Sequence, residues 1–312
     1  MSVVIIGCGG FGIKRLGDLH KAIDSLGDVT LVGIDGSASD LETANLPSDL
    51  VHLVEGKDGA GKIRAANAKE YCEWVDSNLS VIPKATLYII MYSTSGGSGN
   101  VLGTHLAMQL TARGENVVNV GVITGRSGID AKNTVNTLNG LGAYVNKLNK
   151  PLFISIMEQG DMPASTVDAA TLANVMEFSR IAAFKYSGLD TSDIRSFFNY
   201  PAHGVAPQLT EIVHYGNDTL DDMVSNMCNR TLTQLSIINS QDGVIPPLMA
   251  LYDCHGIDVN SDLDSTVHYA TSTQSMKALQ KTITERLETY VEANKALNSS
   301  AVFGDGSSEM VY

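Results

Sequence analysis

The chain has 312 residues, enough for a large core and, at about 100–200 residues per domain, for roughly two domains. Hydrophobic residues make up 44%, which excludes a disordered chain, and they are spread too evenly for membrane spans. The net charge is -13, from 21 Lys+Arg against 34 Asp+Glu, with no basic cluster to follow a phosphate backbone, so direct nucleic-acid binding is set aside. Charged residues are only 18%, below the usual share of about 25%, which leaves more uncharged surface for self-association.

The start, Met1 to Gly7, is a short apolar run with no basic leader or cleavage-like site. It reads as a first strand, and a cytoplasmic location is expected. Strand-like runs then recur at Val3–Ile6, Val29–Ile34, Val51–Val54, Leu87–Met91, Val117–Ile123 and Leu152–Ile156. Each is followed by Gly, Ser or Asp and a longer amphipathic stretch, so the fold class is α/β, with a doubly wound parallel sheet. In such a sheet the ligand lies beyond the carboxyl ends of the strands, in the loops that follow these runs.

Residues 1–164 are therefore expected to form the nucleotide-binding domain. From Ser165 to Ser187 there is no Gly or Pro, and apolar residues keep helical spacing, which predicts one long central helix over 165–187. Pro201, Pro207, Gly216 and the Pro246-Pro247 pair break up residues 188–271, read as a loop leading into a smaller α/β domain. Met276, Leu279, Ile283, Leu287 and Tyr290 form the stripe of a C-terminal helix over 272–298, and 299–312 is a tail with apolar anchors and acidic residues. The four cysteines and seven histidines show no metal-ligand spacing, and neither a disulfide framework nor a protein-built metal site is expected.

Three glycine-rich segments carry chemistry. Gly7-Cys8-Gly9-Gly10-Phe11-Gly12 follows the first strand, and the second ends in Asp35; alone, this is a dinucleotide fingerprint. Gly56 to Lys62 has the spacing of a P-loop, but Ile63 stands where Ser or Thr would hold magnesium, so that reading fails. Ser93-Thr94-Ser95-Gly96-Gly97-Ser98-Gly99-Asn100 follows the fourth strand and opens a helix, the position a phosphate cradle requires. A dehydrogenase has no use for a second anion loop at this strand, whereas a nucleoside triphosphate does.

The segment Ser93 to Asn100 resembles the glycine-rich signature loop of the tubulin/FtsZ superfamily. Its other loops follow in order: Gly9, Gly10, Phe11 and Gly12 resemble the first, Asp35-Gly36-Ser37 the second, Gly59-Ala60-Gly61 the third, and Thr124 to Asp130 the fifth. Gly188 to Ile194 is similar to the catalytic loop, although no Asn precedes Asp190, and Thr134 stands where FtsZ carries an Arg. The short chain and its small acidic tail look most like the phage-encoded tubulins of the PhuZ type.

The resemblance implies GTP and GDP as ligands, with Mg²⁺. Contacts are expected from Gly9, Gly10, Phe11, Gly12, Asp35, Gly59, Ala60, Gly61, Ser95, Gly96, Gly97, Ser98, Gly99 and Asn100, with Asp130 at the ribose and Asp168 at the guanine edge. It further implies a head-to-tail filament in which Asp190 and Asp193 reach the next subunit's nucleotide and drive hydrolysis. The tail would dock on the neighbour, and the cargo would be phage DNA or its replication compartment in a bacterial host. The alternatives are an NAD-dependent oxidoreductase, which leaves the Ser93 loop unexplained, and a nucleotide-binding scaffold without turnover.

Overall fold

A computed structural model of the chain describes residues 1–22, 27–55, 59–124, 127–227, 231–239, 243–258 and 266–299. The first half alternates strand and helix: β1 (Val3–Cys8), α1 (Gly9–His20), β2 (Val29–Asp35), α2 (Ala38–Thr43), β3 (Val51–Leu53), α3 (Ala68–Asn78), β4 (Leu87–Ser93), α4 (Ser98–Ala112), β5 (Val117–Ile123), α5 (Gly128–Leu148) and β6 (Leu152–Glu158). Then follow α6 (Ala164–Ala183), β7 (Tyr186–Ser187), α7 (Thr191–Phe198), β8 (Leu209–Gly216), α8 (Leu220–Met227), β9 (Thr233–Ile238), β10 (Tyr252–Asp258), β11 (Val267–Ser272) and α9 (Gln274–Ser299).

The strands form one sheet in the order β3-β2-β1-β4-β5-β6-β8-β11-β9-β10-β7. From β3 to β6 every pairing is parallel. The second region enters this same sheet where β8 pairs with β6, Leu152 opposite Leu209, and antiparallel pairs appear only beyond it. Strand order reverses between β1 and β4, which opens a crevice at their carboxyl ends.

The parallel strands are apolar on both faces because helices cover both. Val3 and Ile5 point into a core shared with α6 and α7, through Val175, Phe178, Ile181, Ile194 and Phe197. Val4, Ile6 and Cys8 point the other way, against Val101, Leu102 and Leu106 of α4 and Tyr71 and Val75 of α3. The first core also takes in Ile212, Leu235, Ile237 and Tyr269, so α6 joins the two halves through continuous packing.

The stretch predicted as helix to Ser187 ends at Ala183. Phe184 is extended, and Tyr186 and Ser187 pair instead with Asp258 and Ile257 of β10. The Tyr186 hydroxyl donates back to the Arg180 carbonyl and fixes the turn. At its other end α6 meets α1, where Arg15 pairs with Asp168. The Ala183 carbonyl accepts from the Asp28 amide at 3.4 Å, at the amino edge of the sheet, where Asp28 in turn accepts from Val3. The helix therefore spans the sheet from carboxyl edge to amino edge, about 30 Å for 20 residues.

Gly103 lies inside α4, where Ala would ordinarily stabilise a helix by roughly 1 kcal/mol. Here a methyl group would run into the ring of the fully buried Tyr92. Gly103→Ala should therefore destabilise the chain, by about 1–3 kcal/mol, read as a lowered midpoint in chemical unfolding. A raised midpoint would show that this contact gives way.

Candidate functional site

The loops after β1 and β4 meet at the crevice. A Cβ on Gly9 would lie 2.6 Å from the Gly99 Cα, and one on Gly99 would lie 2.5 Å from the Cys8 carbonyl oxygen, so the two backbones touch. Gly9 also sits at φ +69°, which glycine adopts without strain. Gly12 is pressed against the Met91 and Gly7 backbones, so Gly9, Gly12 and Gly99 permit the close approach of the loops. Gly10, Phe11, Gly96 and Ser98 are half-exposed and form the mouth.

Helices α1 and α4 begin at this mouth, and neither receives a side-chain cap or carries an acid in its first turn. By contrast α2 is capped by Ser37, α5 by Ser127 and α7 by Asp190. Two adjacent uncapped helix starts present backbone N–H groups and the positive ends of two dipoles to one point, which suits an anion.

The carbonyls of the β4 loop face the other way. Asn100, fully buried, donates to Thr94 and Gly96 at 3.1 and 2.8 Å. Asn133 in α5 shares its amide between the carbonyls of Ser95, Gly96 and Lys62 at 3.0, 3.2 and 2.8 Å, and Thr137 donates to Thr94 at 3.2 Å. Ser95 is held by Ser93 and Thr124, and it accepts from the Thr124 amide at 3.1 Å, which ties in the loop after β5. The third loop closes on the cradle: a Cβ on Gly97 would lie 2.7 Å from Ala60. Gly59 and Gly61, both at positive φ, shape this turn.

A cavity of about 300 Å³ opens beside the first loop, lined by Gly10, Phe11, Lys14, Thr124, Gln159 and Asp168 among others. Asp168 is paired with Arg15, which also reaches Asp18 at 3.3 Å and lies over the Phe11 ring at 5.7 Å. A second cavity of about 450 Å³ shares Thr124 and Gln159 with it and is roofed by Ile283, Arg286 and Tyr290 of α9. There Arg286 grips both oxygens of Glu158, and Tyr290 stands over Gly128.

The remaining acids lie elsewhere than the spacing alone suggests. Asp35 is fully buried and accepts from Gly36 at 2.7 Å. Burial pushes its carboxyl up to about 6, opposed by the Gly36 N–H and reinforced by nearby Asp40. Asp130 completes the Ser127 capping box and pairs with Lys62 at 3.1 Å. Burial raises its carboxyl, but hydrogen bonds from Ser127 and Lys62 prevail and hold it below the usual range. Asp190 and Asp193 are not part of this site: they form the capping box of α7, past the far end of α6, and Tyr252 donates to Asp193 at 3.1 Å.

Asn133 and Arg15 belong to the site and are not singled out by the sequence, which offers Lys62 only as the end of the rejected P-loop spacing. The available signal was a polar stripe on α5, Asp130-Asn133-Thr134-Thr137, at the spacing of a buried helical face. Among the described residues no group of three or more His, Cys, Asp or Glu is placed to hold a metal, and no helix is long and apolar enough to cross a membrane.

The fold is thus a doubly wound α/β sheet whose topological switch point brings together two uncapped helix starts, a geometry that suits an anion. No family model matches the sequence. A phage tubulin-like protein of Pseudomonas phage PhiPA3 is 28% identical over 218 residues, 68% of this chain and 65% of that protein's length. A second, from Pseudomonas phage 201phi2-1, is 24% identical over 297 residues, covering 91% and 89%. Among solved structures, a protofilament of TubZ from bacteriophage PhiKZ superposes with a TM-score of 0.86 at 21% identity, covering 99% of this chain and 95% of that one. The phage tubulin PhuZ with GDP gives 0.84 at 19%, with the same coverage. The chain is thus similar in sequence to phage tubulin-like proteins and shares the fold of these solved phage TubZ and PhuZ structures. The oxidoreductase reading finds no support in these relatives.

Asp35 gives the site a measurable pH dependence. Its carboxyl titrates near 3.8 when unfolded and at about 6 when folded, so between these values the folded chain holds the proton. Stability contributed here falls as pH rises through that window, and the full cost, up to about 3 kcal/mol, is present above it. Asp35→Asn keeps the bond from Gly36 and can donate toward Asp40. In the nucleotide-free chain its thermal midpoint should exceed the parent's near neutral pH, with the gain gone by about pH 4. A gain that does not depend on pH would point to packing instead.

Proposed function

We propose that this chain is a GTP-dependent filament protein. Its subunits stack head to tail, and each GTP is hydrolysed at the contact between two of them. The observation that carries this reading is the pair of touching, uncapped helix starts at Gly9 and Ser98, with Asp190 held past the opposite end of α6. The residues fit the ligand: carbonyls are turned away, N–H groups are turned out, and a cavity bearing Asp168 lies beside them. Relatives give the same direction, one solved as a protofilament and another with GDP.

The phosphates rest on the Gly9–Gly12 and Gly96–Gly99 loops, and the base enters the cavity of about 300 Å³, where the Asp168 carboxylate accepts from the donor edge of guanine. Asp130 takes the ribose. Magnesium would come with the phosphates and neutralise part of their charge. Within one chain Asp190 cannot reach them, because about 30 Å of helix intervenes. In a head-to-tail row, the amino edge of one sheet faces the carboxyl edge of the next, which brings Asp190 and Asp193 to the neighbour's terminal phosphate. There a carboxylate can orient and polarise the attacking water. A contact of this heterologous kind does not close on itself and yields a filament.

The cargo we assign is phage DNA or its replication compartment in a bacterial host cytoplasm, in keeping with the phage origin of the relatives. The tail read from the sequence, residues 299–312, lies outside the described residues except for Ser299, which ends α9; on its sequence we assign it to docking on the adjacent subunit.

Light scattering with GTP, GDP, ATP and NADH tests the reading: assembly should respond to GTP. Asp190→Asn retains a good N-cap and removes the carboxylate, so folding and assembly should persist while turnover falls about a hundredfold or more. Normal turnover in those filaments would reduce Asp190 to a helix cap. Deleting residues 303–312 should raise the critical concentration several-fold, to roughly the extent that added salt does in the full chain, with GTP affinity unchanged. An unchanged critical concentration would deny the tail a part in assembly.

A further inference from the structure

The cradle has a charge problem. Asp35, Asp40 and Asp130 surround it in a chain of net charge -13, and a nucleoside triphosphate adds about four negative charges. Lys14 and Arg15 stand at the base end, and Arg15 is already engaged by Asp168 and Asp18. The phosphate end needs a cation, and the third loop supplies one.

Lys62 follows Gly59-Ala60-Gly61 and sits directly on the cradle: a Cβ on Gly97 would lie 3.3 Å from the Lys62 Cα. Its backbone is left-handed, at φ +62°, a conformation that costs a lysine energy and needs outside support. The support is Asn133, which accepts the strain by donating to the Lys62 carbonyl at 2.8 Å while also holding Ser95 and Gly96. One amide thus locks the lysine backbone to the loop that would hold the phosphates.

The side chain is 62% exposed and reaches across to Asp130, which belongs to the fifth loop and α5. Thr124 of that fifth loop is bonded to Ser93 and Ser95, so the Lys62–Asp130 pair joins the loops on either side of the mouth. A nucleotide whose ribose hydroxyls take Asp130 must displace this ammonium. The freed group then stands at the mouth, tethered beside Gly97.

The geometry points to Lys62 as a ligand of the terminal phosphate of the bound triphosphate, exchanging Asp130 for that phosphate when the nucleotide enters. This rests on the nucleotide reading given above. It gives the lysine of the Gly56–Lys62 segment the charge-neutralising task of a P-loop lysine without that loop's metal-binding hydroxyl, since Ile63 follows. It also makes the ion pair a toll that the triphosphate recovers and the diphosphate does not.

The test is equilibrium binding of GTP and GDP to the full chain and to Lys62→Met, with Lys62→Gln as a second variant and Lys62→Arg to restore the charge. Lys62→Met and Lys62→Gln should weaken GTP about tenfold or more and change GDP by less than about threefold, while Lys62→Arg should recover most of the preference. An equal effect on both nucleotides, or none on either, overturns the assignment of Lys62. Failure of the unaltered chain to bind either nucleotide overturns the nucleotide reading itself, and the assignment with it.

Discussion

A loop becomes an anion site when its oxygens are occupied and its N–H groups are not. Every peptide unit carries both, so a bare glycine turn has no preference of sign. In this chain Asn100, Asn133 and Thr137 consume the carbonyls of Thr94, Ser95 and Gly96, and helix α4 starts immediately beyond without a cap. The glycines allow the approach of β1 and β4 loops, but these buried amides give the cradle its sign. The same Asn133 carries the third loop through the Lys62 carbonyl, so the position of a lysine, two glycine loops and the first turn of α5 hang on one side chain with 4% exposure.

The rest of the molecule places that cradle. Sheet order reverses next to it, α6 runs away from it to the opposite edge, and α9 lies over the loop beside it through Arg286 and Tyr290. Continuous packing from Val3 to Tyr269 makes α6 a strut, so its two ends keep a fixed separation.

Much of this was legible in the sequence. Strands buried on both faces read as apolar runs, so β1, β2, β4, β5 and β6 stood out, and the glycine loops after β1 and β4 declared a close approach. What was not legible depends on partners distant in the chain. Asn133 looks like any polar residue of a helix until Ser95 and Lys62 are brought to it. Asp35 ends a strand as a ribose-binding acid would, yet it is sealed beneath Gly36 by the packing of its neighbours. The end of α6 is set by β10: an unbroken helical pattern gave no reason to stop at Ala183, and pairing of Tyr186 with Asp258 overrode it.

The strut has a counting consequence. If each nucleotide is finished off by an acid some 30 Å away on another copy, a row of subunits contains one fewer complete site than it has members. An isolated subunit would then be silent, a pair half as productive per subunit as a long row, and the rate per subunit would climb toward a ceiling with length. The two tips of the row would also differ in kind: one shows uncovered nucleotide to the solvent, the other an idle pair of carboxylates. Length would be something the chain measures through its own chemistry, without any separate ruler.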